Sequence, residues 1–285
     1  MYSAYSQIQG REQVNAVSRK KTAFLVIGIL LLALFAAAAL FPSILTPYGQ
    51  KEMFDAWLEP SAEHPLGTNS LGYDIFAELV HGAGDTLSVG LVSSILTMIL
   101  GSLIGVLAAQ KGAAGAFFSG LINIFMLLPR LISLIVLSAF LGQSRVSLIM
   151  LIATFSWVGT ARTIRAQVQH IYTQPFIENC RVCGYSRAHT AFAHVLPNLS
   201  DILLSRFLLG VNGCIMMEST LSFLGFGDLY HPSWGTMVNF AYRRGAFMRG
   251  AWNYLLPPGV CIMLLSLAFY FISVYFESSK EEIKI

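Results

Sequence analysis

Charge is what this sequence has least of. Only 12% of its 285 residues are Asp, Glu, Lys or Arg, about half the share found in soluble domains. With 55% hydrophobic residues and a mean hydropathy of +0.64, the composition is that of a membrane protein. A formal net charge of +3 is too small for a nucleic-acid footprint. Cysteine is also sparse. Cys180, Cys183, Cys214 and Cys261 lie in or beside apolar or inner-facing segments and none in a candidate external loop, which argues against a disulfide framework. Three catalytic patterns are missing: the phosphate-binding G-x-x-x-x-G-K-[ST], the zinc-binding H-E-x-x-H and the nucleophile elbow G-x-S-x-G. Without a P-loop the chain cannot bind ATP in that manner, and nothing suggests covalent catalysis, so it is read as not an enzyme. Internal repeats and low-complexity segments are absent too.

What the sequence has in abundance is long apolar runs. Crossing a hydrocarbon core takes about 20 apolar helical residues, because every backbone polar group must be paired within the segment. The candidate spans are Thr22–Phe41, Leu87–Ala109, Phe117–Leu141, Val146–Ala161, Leu199–Phe226 and Trp252–Phe276. The fourth is short, and the third is interrupted by Asn123, Pro129 and Arg130. The first follows Arg19-Lys20-Lys21 and ends in alanines, as a cleavable signal would. Its length exceeds a signal core and suits a full span, so it is read as an uncleaved helix.

Six spans put both termini on one side, and the basic residues say which. With the N-terminus inside, eleven of the 18 Lys and Arg face the cytoplasm, among them Arg19, Lys20, Lys21, Arg162, Arg165, Arg181 and Arg187. Five face out: Lys51, Arg145, Arg243, Arg244 and Arg249. The expected organisation is a cytoplasmic segment at 1–21, a transmembrane domain at 22–276 and a cytoplasmic tail at 277–285. External loops fall at 42–86 and 227–251, and a cytoplasmic loop at 162–198.

The polar stretch Pro175 to Asn198, PFIENCRVCGYSRAHTAFAHVLPN, stands out between apolar blocks and must lie outside the hydrocarbon. Glu178 and Gly184 are six residues apart, and Leu196-Pro197-Asn198 closes the stretch. A second stretch is His64-Pro65-Leu66-Gly67-Thr68-Asn69-Ser70-Leu71-Gly72-Tyr73-Asp74. A third is Glu218-Ser219-Thr220-Leu221-Ser222-Phe223-Leu224-Gly225, followed by Pro232-Ser233-Trp234-Gly235-Thr236-Met237.

The first stretch resembles the E-A-A-x-x-x-G signature of the membrane subunits of ATP-binding-cassette importers. The second resembles the H-P-L-G-T-D-x-L-G-R-D motif of the dipeptide, oligopeptide and nickel permeases, and the third matches the same group, in its second or C-type subunit. The departures are Asn179 and Cys180 for the two small residues, Asn69 for Asp and Tyr73 for Arg. The last two read together as an ion pair exchanged for a neutral contact. The resemblance implies an all-α, type I importer permease of about six spans in a bacterial or archaeal cytoplasmic membrane. It implies a coupling helix that docks on an ATPase through Glu178, Arg181, Gly184, Arg187, Leu196 and Pro197. The implied partners are a homologous permease, two ATPases carrying ATP and Mg, an external solute-binding protein and the bilayer. This chain would hold no cofactor of its own and no nucleic acid.

Other constellations carry competing readings. Cys180-x-x-Cys183 with His189 and His194 imitates a zinc site, but the pairs are only five residues apart, and small helix-face residues are the stronger reading. Glu218 is ionisable within a span and so a pathway candidate, with Asn212 on its helix and Arg130 as a possible partner; a structural hydrogen bond is the alternative. Arg243, Arg244 and Arg249, with Trp234, are candidates for docking the binding protein, against simple solvation or lipid contact. His64 and His231 are weak metal candidates. The rival functions are import of nickel or a metal chelate and, from another class, secondary transport. The latter gives the polar stretch no role.

Overall fold

The computed structural model describes residues 22–190, 193 and 196–278. It is built of helices: α1 Thr22–Leu40, α2 Pro42–Leu45, α3 Ile75–Ala108, α4 Ala113–Leu127, α5 Arg130–Leu141 and α6 Arg145–Tyr172. Then come α7 Pro175–Val182, α8 Arg187–Thr190, α9 Leu196–Leu221 with a wider turn at Ser222–Phe226, α10 Trp234–Arg243 and α11 Trp252–Ser278. Among the described residues five helices are long and apolar enough to span a membrane, or six if the bent pair α4–α5 crosses as one broken span.

The element ends have local causes. Phe41 precedes a proline and leaves the helical region, so α1 stops and α2 starts at Pro42. Asp74 caps α3 by accepting a 2.6 Å hydrogen bond from the Ala77 N–H. Leu128 is extended before Pro129, which breaks α4 from α5 with an 85° bend. The second span therefore begins at Ile75 rather than Leu87, and the fourth runs from Arg145 through Arg162 and Arg165 to Tyr172 rather than ending at Ala161. The loops expected at 42–86, 162–198 and 227–251 are correspondingly part helix. α10 lies inside the last of them.

α3 has 34 residues, about 51 Å at the α-helical rise, against a hydrocarbon core of about 30 Å. It packs chiefly on α6 and α9, and α9 on α11. The α3–α6 contact depends on Gly101 and Gly105, one turn apart. A Cβ on the first would lie 2.7 Å from Thr160 Cβ, and on the second 2.7 Å from the Ala161 carbonyl. Small residues at this spacing let two helices approach closely in lipid. An outer cluster joins Phe35, Ile75, Leu87, Ile215, Trp234, Met237 and Tyr254, while an inner one joins Ala109, Ile164, Val168, Ile171, Ile177 and Leu199.

Candidate functional site

The polar stretch forms α7, a turn and α8. Ile177 and Cys180 are buried, Ile177 against the bases of α6 and α9, while Phe176, Glu178, Asn179, Val182 and Tyr185 face outward. Of the two departures from the resembling signature, then, Asn179 points out and only Cys180 must pack. A thiol serves there as a small apolar group. Gly184 has φ +77°, and the Tyr185 N–H bonds the Cys180 carbonyl at 3.1 Å. That six-to-one bond with a left-handed glycine is a Schellman ending, which reverses the chain after α7. Tyr185 stacks on His189 with ring centroids 4.7 Å apart. Pro197 is exposed in the first turn of α9, where its missing N–H costs nothing. His194 and the side chains of Arg181, Arg187 and Leu196 lie outside what the structure describes. Cys180 is buried and Cys183 exposed, each a free thiol.

At the opposite end the His64–Asp74 stretch folds into a cap. Gly67 and Gly72 have φ +73° and +80°, and a Cβ on either would meet the carbonyl of Leu58 at 2.3 Å or of Phe54 at 2.0 Å. His64 Nδ1 pairs with Asp74 Oδ2 at 2.8 Å, and Thr68 Oγ1 donates to the Asp55 carbonyl while accepting from the Leu58 N–H. His64 is thereby fixed between Tyr48, Phe54 and Asp74. Asn69 bonds the Tyr73 backbone, where the paired departures suggested a side-chain contact. Its Oδ1 accepts from the Leu71 and Tyr73 N–H groups, and its amide donates to Glu78 Oε2 at 2.8 Å. Sequence reasoning missed Glu78, which is 2% exposed. The cap is tied to the last external segment: Gln50 Nε2 donates to the Pro232 carbonyl, Lys51 Nζ to Leu229 and Asn253 Nδ2 to Leu66.

This corrects the proposed docking set. Trp234 is 1% exposed, donates from Nε1 to the Leu79 carbonyl at 2.7 Å and meets Phe35 edge-on, so it is a core residue. Arg244 is half-buried, stacks on Phe240 at 4.1 Å and lies in the electrostatic reach of Glu78. Arg243 and Arg249 remain exposed, Arg249 over the Trp57 ring. Asp228 organises the same segment. Burial would push its carboxyl up, but N–H bonds from Tyr230, His231 and Arg145 hold it below the usual aspartate range.

Within the spans, the expected partners do not meet. Glu218 is 1% exposed and accepts from three hydroxyls: Ser222 and Ser233 on Oε1, both at 2.6 Å, and Ser219 on Oε2 at 3.3 Å. Ser233 also caps α10, so Glu218 pins α10 to the end of α9. Arg130 is elsewhere, donating from Nη2 to Ser156 Oγ at 2.6 Å. Asn212 lines an apolar groove between α9 and α11 with Met216, Ile262 and Tyr270.

Residues 101–281 match the family described as binding-protein-dependent transport system inner membrane component. The chain belongs to this family. A di/tripeptide transport system permease of Pseudomonas aeruginosa is 32% identical over 85% of this chain and 82% of its own length. An oligopeptide transport system permease of Lactococcus lactis is 30% identical over 86% and 85%. Among solved structures, the MetNI methionine transporter in an inward-facing conformation is similar in fold. It has a TM-score of 0.52 and 19% identity, and the match covers 70% of this chain and 95% of that one. The α7–α8 segment falls within the matched residues.

Proposed function

We propose that this chain is one of two permease subunits forming the pathway of an ATP-driven peptide importer. Its motor is a pair of ATPase subunits on the cytoplasmic side, and its cargo comes from an external solute-binding protein. The observation that carries this reading is the α7–α8 segment. It is anchored by Ile177 and Cys180 and presents Phe176, Glu178, Val182 and Tyr185 as an exposed surface. Family membership supplies the motor that fits it. The peptide assignment follows from relatives described as di/tripeptide and oligopeptide permeases. Glu178, Arg181, Gly184, Arg187, Leu196 and Pro197 form the coupling set, and Arg243 with Arg249 the exposed basic pair facing the binding protein. Both termini are cytoplasmic in this reading, as the Lys and Arg distribution requires.

The mechanism is mechanical. Closure of the ATPases on ATP displaces α7, and Ile177 passes the movement to α6, α9 and the inner end of α3 through the cluster they share. Cargo can bias the inward–outward equilibrium only by binding the two states differently. Co-purification with ATPase subunits, and vesicle uptake that requires ATP and the binding protein, is the expected result. Peptide uptake by the chain alone, without ATP, would overturn the reading.

A further inference from the structure

We propose that Arg130, at the break between α4 and α5, is a carboxylate-binding subsite that holds the C-terminus of a peptide on its way through the membrane. This deepens the importer reading and rests on it.

Depth comes from two helices independently. Asp85 of α3 and Arg145 of α6 form an ion pair near the outer surface, where Asp228 also accepts from the Arg145 N–H at 3.1 Å. Ser156, the partner of Arg130, lies eleven residues further along α6, about 16 Å deeper. Thr97 lies twelve residues beyond Asp85 on α3, about 18 Å deeper. In a hydrocarbon core of about 30 Å both values fall near the midplane.

A guanidinium at that depth is costly unless an anion or a cavity receives it. Among the described residues Arg130 has no carboxylate within ion-pair distance, and its ionisable neighbour is the Cys214 thiol. Its one hydrogen bond goes to Ser156, which in turn donates to the Ile152 carbonyl. Nε is buried without a partner. Thr97, 3% exposed, turns its Oγ1 toward the Cys214 thiol. The N-terminus of α5 begins at Arg130 itself with no side-chain cap, so its free N–H groups add positive potential at the same point. Broken helices at the midplane bind carboxylates in this way in other transporters.

The anion must come from outside the chain, and a route exists, because Arg130 is half-buried and Leu127, Leu128 and Pro129 beside it are exposed. Lipid phosphates lie about 15 Å away, beyond the reach of the side chain. One cation among neutral hydroxyls also suits an occupant that must leave as readily as it enters. A peptide C-terminus has that chemistry.

The test uses the intact importer in proteoliposomes with ATP and its binding protein. Uptake of trialanine and of trialanine amide is compared in wild type, Arg130→Gln and Arg130→Lys. The binding protein is common to all, so its own preference cancels when ratios are compared. The acid-to-amide ratio should fall roughly tenfold in Arg130→Gln, the scale of one charge-assisted hydrogen bond, and recover in part in Arg130→Lys. An unchanged ratio in Arg130→Gln, whatever the absolute rate, overturns the subsite while leaving the importer reading intact. If Arg130→Gln does not assemble, Arg130→Met takes its place, and an unchanged ratio there likewise overturns the subsite. A ratio that depends on anionic lipid overturns it in favour of a headgroup. Uptake without ATP is the separate result that would sink the importer reading itself.

Discussion

Asparagine differs from aspartate by one amide nitrogen, and at position 69 that nitrogen determines which neighbour is tolerated. Its amide donates to the buried Glu78 at 2.8 Å, while its oxygen already takes two backbone N–H bonds. An aspartate there would set two buried carboxylates against each other. Asn69→Asp should therefore lower stability by about 1–3 kcal/mol at neutral pH, the cost of an unsatisfied buried group. The loss should shrink on acidification, when one carboxyl takes a proton and donates again, and disappear in Asn69→Asp with Glu78→Gln. Thermal unfolding of the detergent-solubilised protein at several pH values checks this; a pH-independent loss would contradict it. The same lesson applies at Glu218. A search for a charged partner led to Arg130, yet three hydroxyls satisfy the carboxylate. The structural hydrogen bond set out as the alternative is what forms, and its partners were not legible because serines leave no signal in a charge count.

At the scale of elements, the short turn after α7 is the most sensitive point. Gly184 has φ +77°, and a Cβ there meets nothing within 4 Å, so a substitution is penalised by backbone conformation and not by crowding. A β-branched residue should cost about 1–2 kcal/mol locally and tilt α8 away from α7. Gly184→Val should insert normally but show weaker ATPase binding and less binding-protein-stimulated hydrolysis than Gly184→Asn, which tolerates the left-handed region. Equal coupling in the two variants would remove the turn from the mechanism. The existence of each span was readable because about 20 apolar residues leave little choice. Their ends were not, because hydropathy marks the hydrocarbon and not the helix. Asp74 starts α3 well before its apolar run, and α6 carries Arg162 and Arg165 beyond its own. α10 was missed for a related reason. Trp234–Arg243 is too short to register as a span, and its tryptophan looked like an exposed anchor rather than a residue packed on Phe35.

For the whole molecule, the division of labour is by depth. One end carries the α7–α8 segment, the middle holds Arg130 and Asn212, and the other end carries a cap stitched from residues 46–74 and 227–253. The α7–α8 stretch stood out by its polarity, because a polar insert between spans has nowhere else to go. The joining of the cap to residues 227–253 was not legible, because those contacts link residues more than 150 positions apart, such as Gln50 with Pro232 and Asn253 with Leu66. α3 connects the two ends: Ile75 sits in the outer cluster, and Ala109, just past its last residue, in the same inner cluster as Ile177. It contains no proline. A rod about 51 Å long acts as a lever with its fulcrum at the Gly101–Gly105 contact. About that fulcrum a tilt of about 10° would sweep the Ile75 end, about 39 Å away, through about 7 Å. The motor would then move the external lid directly, with no relay of side-chain changes between them. Spin labels at Glu59 and Met248, both on the lid, should keep a constant separation through the ATP cycle. Their distances to Leu127 at the α4–α5 elbow should change, and a varying Glu59–Met248 distance would show that the lid bends rather than swings.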